Sequence, residues 1–359
     1  MPEKNRLGVI SLPIERIHIE VTNHCNFSCE FCPDFKMKRG RGFMDFEVLK
    51  KILNEVAEKG IAKLALFHVM GEALLYSKLP DAIKYASGKG LKTCITTNGS
   101  LLTNELLNKL TQAGLSRIIL SLQTPDEKSF IHRGAKNFSF DSYKESVKRI
   151  AHKVINENRL KLTISFLSSP LRKLIFPVMP NITVADTSKD LRKHLSRWSE
   201  YILKGTKFEN NLGQIRNRLR WVGSFRENSV NLCPGLTFET RILGDWASHS
   251  LNNGVKAKIG FCPGIQENFG ILWNGDMVFC CVDYEGRTVA GNIKEDSIYD
   301  CLKSRQVQDV VRGFNHFRVI HSHCQRCMGD INYLNTFVRQ IGSILYFKGY
   351  RKIFSNNNF

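Results

Sequence analysis

The first 170 residues alternate between strand-like and helix-like runs, and this alternation constrains the fold more than any other feature of the chain. Residues 16–21 place Ile17, Ile19 and Val21 at period two, which predicts a strand. A helix-like run follows, with Asp45 as its predicted N-cap. Further strands are predicted at residues 63–68, 91–97, 117–122, 160–166 and 236–243. Because helical runs separate most of these strands, we expect an α/β fold with a parallel sheet covered by helices.

Polar clusters come directly after four of the predicted strands. They lie at residues 25–32, 68–72, 97–99 and 121–123. In parallel α/β folds, ligands bind at the carboxyl ends of the strands. We therefore expect these four clusters to meet in one site.

The first cluster contains three cysteines, Cys25, Cys29 and Cys32. A loop of this length can bring three thiolates onto one iron–sulfur cluster, and three ligands on four irons leave one iron open for catalysis. The alternative is a zinc site that borrows a distant fourth ligand. Zinc ligands typically come in pairs two to four residues apart, so this triple favours the iron–sulfur interpretation.

The triple resembles the signature of the radical S-adenosylmethionine (SAM) superfamily. The resemblance implies a partial (β/α)6 barrel, which we place at residues 14–250. It also implies a 4Fe-4S cluster whose open iron binds the amino and carboxylate groups of SAM. In that family, an electron from the cluster cleaves SAM to methionine and a 5′-deoxyadenosyl radical, which takes a hydrogen atom from the substrate.

Other positions match SAM-binding motifs of the same family. Gly71 and Glu72 resemble its Gly-Gly-Glu element, although Met70 replaces the first glycine and Ala73 replaces the proline that often follows. The resemblance implies that the Glu72 carboxylate meets the ammonium group of SAM. It extends to Phe31, Asn98, Ser121, Gln123 and Arg133. The alternative for each is an ordinary role in loop capping, in a turn or as a surface charge.

A second group of cysteines lies in the last third of the chain. Its members are Cys262, Cys280, Cys324 and Cys327. Their spacing around Gly275 resembles the twitch form of the SPASM domain, which implies that they hold one auxiliary 4Fe-4S cluster. We place this small α+β domain, a β-hairpin plus a helix, at residues 251–332, with Asn274-Gly275 as the hairpin turn. The alternative is a structural zinc site with four cysteine ligands.

Cys281 directly follows Cys280 in this group. Neighbouring residues on a strand point to opposite faces of the sheet, so one of the two reaches the cluster. The spacing to Gly275 selects Cys280 as the ligand. Cys281 and Cys233 are candidate hydrogen-atom donors if the reaction is an epimerisation, although buried structural thiols are the commoner case.

The C-terminal tail, residues 333–359, carries apolar residues at roughly helical spacing among basic ones. The apolar positions are Leu334, Phe337, Val338, Ile341, Leu345 and Phe347. Such a stripe typically packs on the core of its own protein, and we expect packing here. The alternative is an amphipathic helix that lies on a membrane.

The chain is strongly basic, with 52 Lys and Arg residues against 33 Asp and Glu and a formal net charge of +19. The basic residues are spread along the whole sequence, whereas nucleic-acid-binding proteins concentrate them on one face. The excess therefore favours an acidic or phosphorylated small-molecule substrate and an acidic electron donor such as flavodoxin or ferredoxin. A contribution to solubility alone is an equal alternative.

Segments that would direct the chain into or across a membrane are absent from the sequence. No apolar run reaches the length of a transmembrane helix, and residues 1–13 lack the apolar core of a secretion signal. We therefore expect a cytoplasmic protein. Eleven cysteines in a reducing compartment indicate metal sites rather than disulfides.

Three functions compete at this point. The first is dehydrogenation or epimerisation of a sugar-like small molecule by a radical SAM oxidoreductase. The second is modification of a ribosomally made peptide; members with that role usually carry an N-terminal leader-binding domain, for which we expect no room because the barrel begins near residue 14. The third is a non-catalytic, zinc-containing nucleic-acid-binding protein, which fits the charge but not the cysteine triple at a strand end.

Overall fold

A single large sheet with helices packed against it forms the centre of the molecule. The computed structural model describes residues 6–136, 138–169, 182, 184–243 and 254–351. Apolar side chains from the strands and helices form one extended core between these layers.

Strands and helices alternate along much of the chain. The strands are β1 (Arg6–Leu7), β2 (Ile10–Ser11), β3 (Arg16–Ile19), β4 (Leu64–Phe67), β5 (Lys92–Thr97), β6 (Arg117–Gln123), β7 (Lys161–Ser168), β8 (Asn228–Cys233), β9 (Leu236–Ile242), β10 (Asn268–Ile271), β11 (Asp276–Val278) and β12 (Val289–Asn292). The helices are α1 (Phe46–Glu58), α2 (Leu79–Gly88), α3 (Asn104–Gln112), α4 (Glu127–Phe130), α5 (Phe140–Glu157), α6 (Ser188–Leu203), α7 (Leu212–Leu219), α8 (Ile298–Lys303), α9 (Arg305–Asn315), α10 (Ser322–Cys327) and α11 (Tyr333–Ile344). A π-helical turn, Leu345–Tyr350, continues α11.

The central sheet contains ten strands in the order β12-β11-β10-β3-β4-β5-β6-β7-β9-β8. Six adjacent strands, from β3 through β4, β5, β6 and β7 to β9, run parallel to one another. The predicted α/β architecture with a parallel sheet is therefore confirmed. β8 closes one end of the sheet by pairing antiparallel with β9.

Local sequence signals set the ends of the helices. Helix α1 begins at Phe46 because the Asp45 carboxylate accepts hydrogen bonds from the amides of Glu47 and Val48, at 2.9 and 3.2 Å. Its inner face carries Leu49, Ile52, Leu53 and Val56, all fully buried. This amphipathic pattern places α1 on the sheet and leaves the β3–α1 loop free to carry the cysteine triple.

The C-terminal hairpin continues the central sheet. β10 pairs in parallel with β3, with Phe269 opposite Ile17, and β11 returns antiparallel to β10. The turn between them needs Gly275, which has a φ of +97° and has Asn292 Oδ1 only 2.6 Å from the position of an added Cβ. The predicted domain boundary near residue 250 lies outside the described residues.

The middle of the chain contains two helices, α6 and α7. Trp198 of α6 is buried, and its Nε1 donates a hydrogen bond to Pro125 O at 2.8 Å. These helices therefore pack on the barrel, while residues 170–181 of the same region lie outside the described part.

Helix α11 lies in the opposite orientation to the one expected for the tail. Leu334, Phe337, Val338, Ile341 and Leu345 are exposed, whereas Phe347 packs against the core. The expectation that this stripe packs on the protein's own core is therefore wrong for its first five members. The reason is that polar side chains of α11 hydrogen-bond to neighbouring backbone and occupy the inner face. Among the described helices, none is long and apolar enough to cross a membrane.

Candidate active site

A cavity of about 600 Å³ lies where the parallel strands end. The predicted site residues that line it are Cys25, Cys29, Phe31, Cys32, Gly71, Glu72, Asn98, Ser121, Gln123 and Arg133. The polar clusters that follow β3, β4, β5 and β6 thus face one space, because parallel strands bring their carboxyl ends to the same edge of the sheet.

The loop that carries the cysteine triple is held by the residues on either side of it. The buried Asn23 side chain donates to Gly40 O and accepts from Gly42 N, each at 2.9 Å. Arg41 donates to Asn23 O at 2.6 Å and to the Asp34 carboxylate at 2.7 Å. These bonds join the start of the loop to its end, so the thiols between them are carried on a fixed frame.

The three thiols differ in exposure. Cys25 is exposed, whereas Cys29 and Cys32 are partly buried. Burial raises the pKa of Cys32 to about 12, and it also raises the pKa of Cys29 against the opposing charge of Arg133. Without a metal, burial therefore favours the protonated thiols, and binding of iron would displace their protons because the thiolate is the form that binds metal.

The Gly71-Glu72 element is packed tightly against the cysteine loop. Gly71 has a φ of +80°, and an added Cβ would lie 2.7 Å from the carbonyl oxygens of Thr22 and His24. Glu72 N donates to His24 O at 2.7 Å. Glycine is required here because only a residue without a side chain allows this approach. The replacement of the family's first glycine by Met70 leaves this contact intact.

The Glu72 carboxylate is buried at the centre of the site, with 1% of the residue exposed. It accepts hydrogen bonds from Asn98 N at 2.7 Å and from Leu74 N at 3.1 Å. Burial raises the pKa of Glu72, and these amides partly oppose that rise by stabilising the carboxylate. An ammonium group arriving in the cavity would stabilise the charged form further.

Arg133 is also buried, with 1% of the residue exposed. Its guanidinium lies 5.2 Å from the centre of the Phe27 ring and donates a hydrogen bond to Gln123 Oε1. Gln123 is held with a φ of +61°, a strained conformation for a residue with a side chain. Within the described structure, Arg133 Nε has no hydrogen-bond partner, so it remains available to an anionic group.

Sequence reasoning missed the part of the cavity wall that the strands themselves form. Arg16, Arg117, Arg241 and His18 line it, beside His68, which follows β4 and belongs to the predicted cluster at residues 68–72. A signal was present: Arg16 and His18 lie two residues apart on β3 and therefore face the same side of the sheet. The alternation was used to predict a strand, but not to ask what its inner face carries.

The two histidines of this wall are neutral. His18 Nδ1 lies 3.1 Å from His68 O, and Arg16 Nε donates to His18 Nε2 at 3.3 Å, which fixes the tautomer. Burial and then the Arg16 charge lower the pKa of His18 to about 3. Burial and then the Arg241 charge lower the pKa of His68 to about 4. The positive charge of the wall therefore comes from its arginines.

The four cysteines of the second site lie near one another, and one of them, Cys327, lines the same cavity. Burial is the largest cause of the raised pKa of Cys280. The neighbouring thiols raise it further, in the order Cys281, Cys327, Cys262 and Cys324. Cys281 also lines the large cavity. The second site therefore borders the space that the first site faces.

The spacing of both cysteine groups bears on the zinc alternatives. In the described part of the chain, no three His, Cys, Asp or Glu side chains are gathered closely enough to hold a single metal ion. The cysteines of a 4Fe-4S cluster bind separate irons and stand farther apart than the ligands of one zinc ion. The spacing of both groups is compatible with iron–sulfur clusters.

Two family models match the chain. The model of the Radical SAM superfamily matches residues 19–167, and the SPASM iron–sulfur cluster-binding domain matches residues 262–328. The chain carries a Radical SAM domain followed by a SPASM domain. With these two domains, it is expected to hold a 4Fe-4S cluster and SAM in the barrel and auxiliary iron–sulfur ligation in the SPASM region.

Individual relatives of this radical SAM protein match over shorter stretches. A probable GTP 3′,8-cyclase of Methanococcus maripaludis is 29% identical over 156 residues, which is 43% of this chain and 50% of the relative. The PqqA peptide cyclase of Bradyrhizobium diazoefficiens is 33% identical over 110 residues, 30% of this chain and 28% of the relative. The matches thus span half of these relatives or less.

A solved structure extends the similarity to nearly the whole chain. The structure of native anSMEcpe with bound AdoMet aligns with a TM-score of 0.52 and 14% identity. The alignment covers 94% of this chain and 98% of that one. At this identity the likeness supports the fold alone.

The residues of the cavity fit both groups that the family implies. Three thiols on one loop supply cluster ligands, and the buried, unpartnered Arg133 Nε of the described structure suits a carboxylate such as that of SAM. Glu72 suits the amino group of the same molecule. Cys25, Cys29 and Cys32 would hold the cluster, and Glu72 and Arg133 would orient SAM against it.

Proposed function

We propose that this radical SAM protein reductively cleaves SAM and uses the product to take a hydrogen atom from an anionic, sugar-like small molecule, in a dehydrogenation or epimerisation. One observation carries the proposal: a single cavity joins the cysteine triple to a wall of arginines. When bound, the cluster and SAM would supply one electron and a 5′-deoxyadenosyl radical. The chain's own residues then determine which substrate is bound, how it is oriented and how water is excluded.

The first half of the cavity is suited to holding SAM. Glu72 presents a carboxylate fixed by two backbone amides, and Arg133 presents a guanidinium fixed by Gln123. Opposite charges at two fixed points would orient a molecule that carries both an amino and a carboxylate group. Ser121, Asn98 and Phe31 line the remaining wall and are proposed to contact the ribose, the methionyl part and the adenine.

The second half of the cavity is suited to an acidic or phosphorylated substrate. Arg16, Arg117 and Arg241 face it, with Glu239 lying 3.5 Å from Arg241. Glu227 and Glu239 also line this cavity, so three arginines face two carboxylates, and with His18 and His68 neutral these groups leave a net positive charge. Guanidinium groups bind phosphate and carboxylate through paired hydrogen bonds, which would fix the orientation of such a substrate.

The second cysteine group is proposed to hold one auxiliary 4Fe-4S cluster through Cys262, Cys280, Cys324 and Cys327. Its position at the edge of the cavity supports a role as electron acceptor, which would make the net reaction an oxidation. Cys281 lines the cavity without being assigned as a ligand, and it is the candidate hydrogen-atom donor if the reaction is an epimerisation. The net charge of +19 supports an acidic electron donor such as flavodoxin or ferredoxin.

We also place the protein in the cytoplasm. Eleven cysteines, seven of them proposed as iron–sulfur ligands, fit a reducing compartment. Iron–sulfur ligation and a supply of low-potential electrons both fit that compartment.

Peptide modification is the second candidate, favoured by the similarity to a protein named PqqA peptide cyclase. Similarity to a GTP 3′,8-cyclase, whose named substrate is a phosphorylated small molecule, favours the first candidate. The arginine wall supports the first candidate further, because it supplies several cations in one closed space.

The test measures 5′-deoxyadenosine from the reconstituted protein with SAM and dithionite, in the presence of phosphorylated sugars, their uncharged counterparts or short peptides. We expect the phosphorylated compounds to stimulate formation and, when deuterated, to transfer deuterium into 5′-deoxyadenosine. Arg241→Met should reduce this stimulation by about tenfold or more, since a charge-assisted contact is lost. The exposed Arg226→Met is the matched control. Stimulation by peptides alone would contradict the proposal.

A further inference from the structure

Helix α11 presents its apolar side to solvent. Leu334 exposes 71% of its surface, Phe337 60% and Val338 61%. Tyr333, Ile341 and Leu345 extend the same stripe, because residues three and four apart share a face of a helix. Contiguous exposed apolar surface of this kind is rare on a soluble protein and marks a site of interaction with another protein or a membrane.

The orientation is fixed by the polar side of the helix, which faces the protein. Gln340 Oε1 accepts hydrogen bonds from Lys258 N and Ile259 N, at 3.1 and 2.8 Å. Ser343 Oγ accepts from Phe261 N at 3.1 Å, and Thr336 Oγ1 accepts from Asp330 N at 3.0 Å. Rotating the helix to bury its apolar stripe would break all four of these bonds.

Further contacts lock the same face. Arg339 donates to Gly329 O at 2.8 Å and to Cys327 O at 3.2 Å. Its guanidinium lies 3.5 Å from the Asp330 carboxylate. These contacts therefore fix the apolar stripe in its outward orientation.

Charge around the stripe identifies its partner. Residues 333–351 contain no acidic side chain. The adjoining extended segment exposes Lys256 and Lys258 next to the apolar Ile259, and Lys258 is bonded through its backbone to α11. The nearby carboxylates Asp330 and Glu267 are ion-paired with Arg339 and Arg351. An apolar stripe with aromatic residues and a basic border matches the interface of an anionic lipid bilayer.

We infer that α11 docks the protein on the surface of a membrane that contains anionic phospholipid. The apolar stripe enters the boundary between headgroups and acyl chains, while Lys256 and Lys258 face the headgroups. Tyr333, Phe337 and Tyr346 supply the aromatic side chains that favour this depth of a bilayer. The net charge of +19 adds a longer-range attraction to the same surface.

The test is co-sedimentation of the full-length protein with vesicles of phosphatidylcholine alone or mixed with phosphatidylglycerol. We expect binding to the mixed vesicles that weakens as salt is raised. L334S/F337S should weaken binding by at least about tenfold, because two buried apolar side chains are removed from the contact. K256E/K258E should also weaken binding to the mixed vesicles.

The matched control is I131S/W221S, which removes two apolar side chains that are 72% and 79% exposed elsewhere on the molecule. We expect this control to bind like the wild type, and circular dichroism verifies that every variant is folded. Three results would overturn the inference: no sedimentation with mixed vesicles, equal binding by L334S/F337S, or an equal loss in I131S/W221S. Self-association of the wild type that L334S/F337S abolishes, without vesicle binding, would assign the stripe to a second copy instead.

Discussion

At the scale of single residues, the cavity depends on which groups carry charge. Glu20 is fully buried, is ion-paired with Arg39 and accepts hydrogen bonds from Met70 N and Trp273 N, both at 3.2 Å. It therefore ties the cysteine loop, the Gly71-Glu72 loop and the C-terminal hairpin together. His18, by contrast, is buried without charge, and its neutrality has a measurable consequence.

We expect the unfolding free energy to fall below pH 6.5 partly because of His18. The folded protein binds a proton at His18 only near pH 3, whereas the unfolded chain binds one near the ordinary pKa of 6.5. Acid therefore favours the unfolded state, by up to about 1.4 kcal/mol for each pH unit below 6.5. Denaturant unfolding between pH 7.5 and 5 should show a shallower decline in His18→Gln than in the wild type.

The exposed His316→Gln serves as the control for this measurement, and its decline should match that of the wild type. If His18→Gln declined as steeply as the wild type, His18 would be protonated in the folded protein. The positive charge of the cavity wall would then not belong to the arginines alone.

At the scale of elements, the site depends on close backbone packing between the loops that follow the strands. The clearest case is Gly71, whose added Cβ would lie 2.7 Å from two carbonyl oxygens of the cysteine loop. Gly90 has the same φ of +80° but no atom within 4 Å of its added Cβ. Comparing substitutions at Gly71 and Gly90 therefore separates the cost of a left-handed backbone conformation from the cost of a steric clash.

We expect Gly90→Ala to reduce the unfolding free energy by about 1–2 kcal/mol, the strain of a left-handed residue with a side chain. Gly71→Ala should cost several kcal/mol more, because the cysteine loop must move away, and it should also lower the iron content. Denaturant unfolding and iron analysis of the two variants check this. Equal losses of stability with full iron content in both would show that the loops are not held by this contact.

The same scale shows how far the sequence predicts the structure. Period-two and helical spacing located six of the parallel strands, and Asp45 was correctly predicted as a helix cap because capping is a local interaction. The pairing of β10 with β3 was not predicted, since strand pairing across some 250 residues leaves no local pattern. The orientation of α11 was missed because amphipathic spacing reveals a face but not whether protein or solvent covers it.

In the candidate site, too, the features with a local sequence pattern were predicted and those that depend on the tertiary fold were not. The residues at strand ends were predicted because motif spacing and topology both point to them. Arg117 and Arg241 were missed because strand residues contribute to the site through the curvature of the sheet, which brings distant inner faces together. Cys281 was separated from Cys280 on the assumption that both lie on a strand, but β11 ends at Val278 and both cysteines follow it. The structure shows that Cys281 lines the cavity.

At the scale of the whole molecule, the barrel and the C-terminal region share one sheet and one cavity. The hairpin of β10 and β11 adds to the edge of the barrel, and its cysteine group borders the cavity that the cysteine triple faces. Both cysteine groups therefore border one cavity, while α11 exposes its apolar stripe to solvent. The central claim is that the cysteine triple, and not the second group, makes the protein able to cleave SAM.

Comparing the wild type with C25A/C29A/C32A tests this claim most directly, by iron content and by 5′-deoxyadenosine formed from SAM and dithionite under anaerobic conditions. We expect about eight irons per wild-type chain, about four in the triple variant, and 5′-deoxyadenosine from the wild type only. Zinc in place of iron in the wild type, or continued cleavage of SAM by the triple variant, would contradict the account.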